Sequence, residues 1–226
     1  MVKVSKAPPK SAPAASDWAS TAELQVLDQA LSLSVRDGWT APMAWAAGAA
    51  CGLSRGETEL LLPHGPADLA ALLSRRHDSR ALEALAQVDP ATLKVRQRIA
   101  QGVEARLDAA CADEAAVRRW AGFLALPSHA GLALRLAWES ADVIWRWAGD
   151  TATDENHYSK RVLLAGILTG ALAVRLASGA EAAREFTARR IENVMAFETW
   201  KATTKLRPSQ MLKAAAGALG RIRYRP

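Results

Sequence analysis

Between Trp145 and Gly166 the sequence reads WRWAGDTATDENHYSKRVLLAG, which sets Asp150, Asp154, Glu155, His157 and Tyr158 within nine positions. Carboxylates, an imidazole and a phenol at this density are the residue types of a metal site, an acid–base pair, a polar helix cap or a protein-docking surface. Asp150 and Asp154 lack the spacing and glycine of a calcium loop, and Arg161 stands where that loop's closing glutamate belongs. His157 has no second histidine at i+4, and no two of the four histidines share a helical turn. A two-carboxylate hydrolase stays open on spacing alone, because such pairs assemble from distant positions. Capping is the simplest reading. Asp150, Thr151, Thr153 and Asp154 offer side-chain oxygens to orphan amides and negative charge to the positive end of a helix. Elsewhere Ser, Cys and His form no nucleophile elbow, and no Gly-rich phosphate loop exists. No catalytic residue, metal or cofactor is assigned, and the chain is not expected to be an enzyme.

The elements that must position this cluster are helical. Half of the 226 residues are hydrophobic, much of that share is alanine and leucine, and no run alternates apolar and polar over a strand's length. An all-α fold is predicted. Residues 17–37 read as a helix with Leu24, Leu27, Leu31 and Val35 at helical spacing and Gly38 as its stop. Short helices over about 40–51 and 54–62, joined by Gly52-Leu53-Ser54, give a helix-turn-helix outline that ends at Pro63-His64-Gly65-Pro66. Helical segments follow over 67–88 and 91–110, and another runs to Pro127. Over 130–148, Leu134, Trp138, Ala141 and Trp145 form an apolar stripe, with Leu136, Val143 and Trp147 flanking it. Arg135, Glu139, Asp142 and Arg146 form the polar stripe, with two opposite-charge i,i+4 pairs. Most of that helix is expected to be buried. A long apolar helix (about 154–177) and an amphipathic one (about 181–204) follow. The uncharged run Val162–Val174 is 13 residues, short for a bilayer and right for a buried helix.

The net charge of +6 is unevenly placed. Residues 1–16 hold three lysines and residues 201–226 seven Lys or Arg, with no acid in either stretch, so residues 17–200 carry −4. A nucleic-acid binder concentrates basic charge on its folded recognition face. Basic ends on a mildly acidic body suit contact with an anionic membrane surface instead. The membrane-contacting set predicted from the last stretch is Lys205, Arg207, Met211, Leu212, Lys213, Leu219, Arg221, Ile222 and Arg223; an inert solvated tail is the plain alternative. Cys51 and Cys111 form neither a disulfide framework nor a metal-spaced pair, which points to a reducing compartment. The N-terminal stretch lacks the apolar core of a secretory signal, and its prolines oppose an amphipathic transit helix. Four units are expected: a basic tail (1–16), a helix-turn-helix-like unit (17–66), a helical bundle (67–204) and a basic, weakly amphipathic tail (205–226).

The segment AAGAACGLSRGETELLLPHGPADL, placed ahead of a larger bundle, resembles the TetR class of regulators. Glu57 and Glu59, however, occupy the would-be recognition helix, where carboxylates meet a polyanion and only Arg55 offsets them. A second resemblance covers Trp120 to about Lys201. It is carried by FLALP (Phe123–Pro127), ADVIWRWAGD (Ala141–Asp150), TDENHYSKR (Thr153–Arg161) and RRIENVMAFE (Arg189–Glu198). This segment resembles the ubiquinone-biosynthesis accessory proteins, a lipid-binding family with a TetR-like fold that assists the demethoxyubiquinone hydroxylase. The resemblance implies a pseudo-regulator without DNA binding and a pocket for an isoprenoid quinone or phospholipid. It also implies a docking patch, here Leu124, Ala125, Leu126 and Pro127 with Asp154, His157, Tyr158 and Arg161. The family pattern D-F-N-W-Y stands here as Asp154-Glu155-Asn156-His157-Tyr158, which puts the identity of the partner in question.

The expectation is therefore a non-enzymatic lipid-presenting protein, peripheral to the inner membrane on the cytoplasmic side of a bacterium and homodimeric by analogy of fold class. Its partner is the demethoxyubiquinone hydroxylase or a related enzyme of ubiquinone biosynthesis, with no nucleic acid and no cofactor. The predicted lining of the lipid pocket is Trp120, Phe123, Trp138, Trp145, Leu164, Ile167 and Leu168, each of which also suits a plain packed core. The rival is a ligand-responsive TetR-type regulator using the same pocket.

Overall fold

The computed structural model describes residues 15–151 and 155–203, with side chains over 18–151 and 157–196. It is all-α. In chain order the helices are α1 (Ala15–Asp37), α2 (Ala41–Ala50), α3 (Arg55–Leu61), α4 (Pro66–Leu85), α5 (Val95–Cys111), α6 (Glu114–Leu124), α7 (Ala130–Trp147) and α8 (Glu155–Thr203), with 3-10 turns at Pro90–Thr92 and Pro127–His129. Expectations for residues 1–14 and 204–226, including the whole membrane-contacting set, and for Asp154 lie outside the described residues.

Local chemistry sets the boundaries. Gly38, at φ 69°, takes the left-handed conformation that ends α1. Thr40 accepts the Met43 amide at the start of α2 (3.3 Å). α3 opens with a capping box: the Ser54 hydroxyl accepts from the Glu57 amide, while Glu57 Oε2 accepts from the Ser54 amide at 2.8 Å. Within α8, Gly179 stands at φ 88°, ψ −174°, a backbone geometry essentially confined to glycine. The chain reverses there. A Cβ on Gly170 would lie 2.7 Å from the Phe186 ring, which a straight helix would hold some 24 Å away. α8 is thus two antiparallel limbs hinged at Gly179, as the two segments read from the sequence require.

Two apolar clusters fill the molecule. The first joins α1, α2, α4 and α6 through Val26, Leu27, Met43, Leu69, Leu73 and Trp120. The second joins α5, α7 and both limbs of α8 through Ile99, Val103, Ile144, Leu164, Leu168 and Ile191. Leu172 packs against both. α4 packs on α5 and α7, so the seam between the clusters runs along those three helices.

Three expectations about faces are corrected. On α7 the buried stripe is Leu136, Ser140, Ala141 and Ile144, while Leu134 is 73% exposed and Trp138 and Trp145 are half-buried. On α1 the inward face is Val26, Leu27, Ala30 and Ser34, with Leu24 and Val35 exposed. Both helices are rotated by about one position from the stripe of largest residues, so that small residues such as Ala30 and Ala141 sit at the helix contacts. The apolar limb of α8 is not enclosed. By length and composition the segment His157–Ala196 holds a span apolar enough to cross a membrane, yet only 22% of that window is buried. Leu164, Ile167, Leu168 and Ala171 face the bundle; Val162 and Leu163 are exposed.

Candidate functional site

A cavity of about 350 Å³ opens along the seam between α4, α5, α6, α7 and the first limb of α8. Leu107, Leu124, Leu136, Leu168 and Leu172 line most of it. Trp120 forms a fixed wall: its indole N–H donates to the Ala70 carbonyl (3.0 Å) and its ring meets the edge of His77. Ligand pockets span roughly 300–1,000 Å³, so the space suits a small head or a short chain.

One end of this cavity is polar. Arg106 of α5 lines it with Ser74 of α4 and Ser140 of α7. Arg106 Nε donates to Asp78 Oδ1 (2.5 Å), and Nη2 donates to the Ser74 hydroxyl (3.2 Å) and carbonyl (3.4 Å). Both partners of the ion pair are 8% exposed. Burial pushes the Asp78 carboxyl up, which the Arg106 charge and a hydrogen bond from Ser140 offset only in part. His77, one residue along α4, is fully buried and neither ring nitrogen has a hydrogen-bond partner. Burial, together with the charges of Arg106, Arg80 and Arg76, drives its pKa down to about 2. It is a neutral imidazole.

A second cavity of about 250 Å³ lies on the opposite side of α8, between α5, α7 and the two limbs. Trp145, Leu164 and Ile167 line it. The Trp145 indole donates to the Lys160 carbonyl (3.1 Å), and the Lys160 ammonium sits 5.3 Å from the ring centre. Leu163, Ile167 and Val194 are shared with a groove of about 510 Å³ between the limbs, bordered by Phe186 and Arg190.

The seven residues expected in one pocket are therefore dispersed. Trp120 and Leu168 line the first cavity; Trp145, Leu164 and Ile167 line the second. Phe123 stacks on His129 (3.9 Å between centroids) beside the first core cluster. Trp138 is turned outward, 6.0 Å from the Tyr158 ring and 6.4 Å from His157. The polar trio Ser74, Arg106 and Ser140 was missed, yet the sequence holds a signal for it. Arg106 follows Ile99 and Val103 at helical spacing on the inward face of α5, and Asp78 falls between Ala71 and Leu85 in the same way on α4. Charged residues at core positions mark a site.

Of the expected docking set, Tyr158 is 63% exposed and stands edge-on to His157 at 5.2 Å; Ala125, Leu126 and Pro127 are also exposed, and Leu124 and Ala125 border the first cavity. Arg161 is not on that surface. Its side chain is 2% exposed; Nε donates to Asp142 (2.6 Å) and Nη1 to Asp150 and to the His157 carbonyl (both 3.1 Å). Lys160 also binds Asp150 (2.7 Å), and Arg146 binds Asp142 (2.7 Å). Asp150 is thus a buried clasp between the end of α7 and the first turns of α8. Burial alone would raise its pKa, but the bonds and charges of Lys160 and Arg161 outweigh burial and hold it below the ordinary carboxylate value.

In the helix-turn-helix-like unit the acids and the one nearby base are spent locally. Glu57 serves the capping box, and Arg55 binds Glu59 (2.9 Å) with its guanidinium 3.7 Å over the Trp45 ring. Among the described residues no group of three or more His, Cys, Asp or Glu gathers as a metal-ligand set.

Residues 130–198, which comprise α7 and most of α8, match the model of the COQ9 family, an accessory family of ubiquinone biosynthesis. No curated protein matches the chain. The matched segment supplies the Asp142–Asp150–Arg161 clasp, the Trp138–His157–Tyr158 face and the α7–α8 walls of both cavities, so the likeness to the COQ9 family falls on the part of this chain that builds its candidate site.

Proposed function

We propose that the protein is a non-enzymatic lipid-binding accessory protein that carries an isoprenoid quinone intermediate, or a related lipid, to a membrane-associated hydroxylase of ubiquinone biosynthesis. The observation that carries this reading is the leucine-lined cavity of about 350 Å³ whose walls include the COQ9 segment. Each CH₂ moved from water into such a space contributes about 0.8 kcal/mol. A five-carbon unit sheltered there regains about 4 kcal/mol, its own share of the cost of leaving a lipid phase, and the lining is apolar except at one end. The cavity is too small for a long polyprenyl chain, whose remainder would lie in the membrane or along α8.

The exposed face of Trp138, His157, Tyr158, Leu126 and Pro127 serves as the docking patch for the hydroxylase or a related enzyme. Glu155 stands where the family pattern has a bulky apolar anchor, so the Trp138 and Tyr158 rings would carry the contact. The basic residues beyond Thr203 would hold the body at an anionic membrane surface, on the cytoplasmic side of a bacterial inner membrane. The uncovered apolar side of α8, with Val162 and Leu163 exposed, suits a second copy of the chain in a TetR-like homodimer. Organic extraction of the purified protein followed by mass spectrometry tests the central reading. A stoichiometric isoprenoid or phospholipid is expected, and an empty extract from protein purified without detergent would overturn it.

One observation favours a ligand-responsive regulator instead: α2 packs on α1 and α3 packs on α2, in a helix-turn-helix arrangement. The locally paired Glu57, Glu59 and Arg55 leave α3 without a cation for phosphate. Saturable, sequence-dependent retention on a genomic duplex pool at low salt would establish the regulator; salt-labile, sequence-blind retention would trace to the tails.

A further inference from the structure

The polar end of the first cavity is costly. A buried ion pair contributes little that well-packed apolar side chains of the same volume would not, and Arg106 occupies a core position of α5. α4 and α5 already pack closely and meet in the first apolar cluster through Leu69, Leu73 and Ala110, so the pair is not needed to hold them together. Arg106 instead lines the cavity, with Ser74 and Ser140 beside it, while Asp78 stands behind the wall. Its bonds to Asp78 and Ser74 engage Nε and Nη2, which leaves the Nη1 donors of a guanidinium that carries five. The Ser74 hydroxyl accepts from Arg106, so its own proton is available to an oxygen in the cavity.

The charge around this end is balanced. Asp78 matches Arg106, Asp28 matches Arg76, Asp113 matches Arg80, and His77 is neutral. A carboxylate or phosphate placed against Arg106 would compete with Asp78 and would enter the bundle as an unmatched charge, which costs far more than burying a neutral acceptor that finds a donor. Size adds a second limit. A dry cavity of about 150 Å³ takes one benzene. The space here, about 350 Å³, accepts a substituted six-membered ring and the first unit or two of a chain.

We propose that Arg106 and Ser74, positioned by Asp78 and Ser140, form a headgroup subsite that selects an uncharged amphiphile through a ring carbonyl or phenol oxygen, in preference to a carboxylate or phosphate lipid. This rests on the reading that the cavity holds a lipid. It orients the guest with its ring inward and its tail leaving past α8. A ring held this way is shielded from any enzyme, so the protein releases its guest for chemistry instead of displaying it.

Calorimetric titration of the delipidated full chain tests the subsite with three probes of one tail length: 2-geranyl-1,4-benzoquinone, geranylbenzene and geranyl phosphate. The wild type is expected to bind the quinone at least about tenfold more tightly than either of the others, the value of a hydrogen bond to a charged donor. The paired variant Arg106→Met/Asp78→Leu, which leaves no charge alone, should keep its affinity for geranylbenzene and lose the quinone preference. Ser74→Ala should lose part of that preference and serves if the paired variant does not fold. Equal binding of quinone and geranylbenzene by the wild type, tighter binding of geranyl phosphate, or a preference that survives these variants would overturn the subsite alone. If no probe binds the wild type, the lipid-carrying reading falls and takes the subsite with it.

Discussion

Single side chains in the seam and at the clasp set the acid response of this protein. His77 has a folded pKa near 2, well under the ordinary value of about 6.5. Between those values the unfolded chain binds one more proton than the folded one, so stability falls as pH drops below about 6.5, by about 1.4 kcal/mol per pH unit. His77→Phe keeps an aromatic edge against Trp120 and removes the titration, so urea unfolding of the variant at pH 7, 6 and 5 should show a shallower pH slope than the wild type. Asp150 acts through a depressed pKa. Its contribution is present above the ordinary aspartate value near 4 and is lost as pH falls through the lower folded value. Asp150→Asn leaves the buried Arg161 with Asp142 alone, and chemical denaturation at pH 7 should register a loss of about 3 kcal/mol. Tyr158 is exposed and carries none of this load. Tyr158→Ala should leave the helical circular-dichroism signal intact and weaken capture of the partner enzyme about 30-fold, the scale of an aromatic anchor worth 2 kcal/mol; unfolding would mean that the ring serves the core.

At the scale of the element, α8 decides the architecture. Its two limbs stay together because Gly179 can reverse the chain and Gly170 lets the Phe186 ring approach the backbone of the facing limb. Gly179 meets nothing within 4 Å, so the requirement there is conformational, not spatial. Gly179→Ala must place a Cβ in a region open essentially to glycine, at a cost of about 1–3 kcal/mol. Thermal melts should show the drop. The same substitution should loosen the second cavity, whose lining draws on both limbs, while leaving the first, which draws on the limb before Gly179 alone. The rotation of α1 and α7 away from their largest apolar residues belongs to this scale too. Close helix packing favours Ala30, Ser140 and Ala141 at the contact and turns Leu24 and Leu134 outward.

For the molecule as a whole, the distribution of charge carries the proposed contact with a membrane surface. Removing residues 207–226 takes away Arg207, Lys213, Arg221, Arg223 and Arg225. At about 1 kcal/mol per basic residue near an anionic surface, the truncated chain should sediment far less with vesicles containing a fifth phosphatidylserine, and its loss should be largest at low salt. Unchanged sedimentation would make that stretch an inert linker. The body's own charge of −4 predicts that residues 17–200 do not compensate.

The amino-acid order by itself determined the helices, their breaks and the likeness of residues 130–198 to the COQ9 family. Gly38, the Ser54–Glu57 capping box and the division of α8 near Gly179 are written in a few adjacent residues, because capping, propensity and glycine conformations are local energies. The i,i+4 pairs Arg135–Glu139 and Asp142–Arg146 were legible for the same reason. Only the tertiary structure decided which side chains share a cavity. It split seven expected lining residues between two cavities, the core edge and the surface, drew Arg161 inward onto Asp150, and joined Asp78 to Arg106 across 28 positions. A cavity is the space that helices leave between them, and its walls follow from rotations and separations of whole elements that no single stretch of sequence contains.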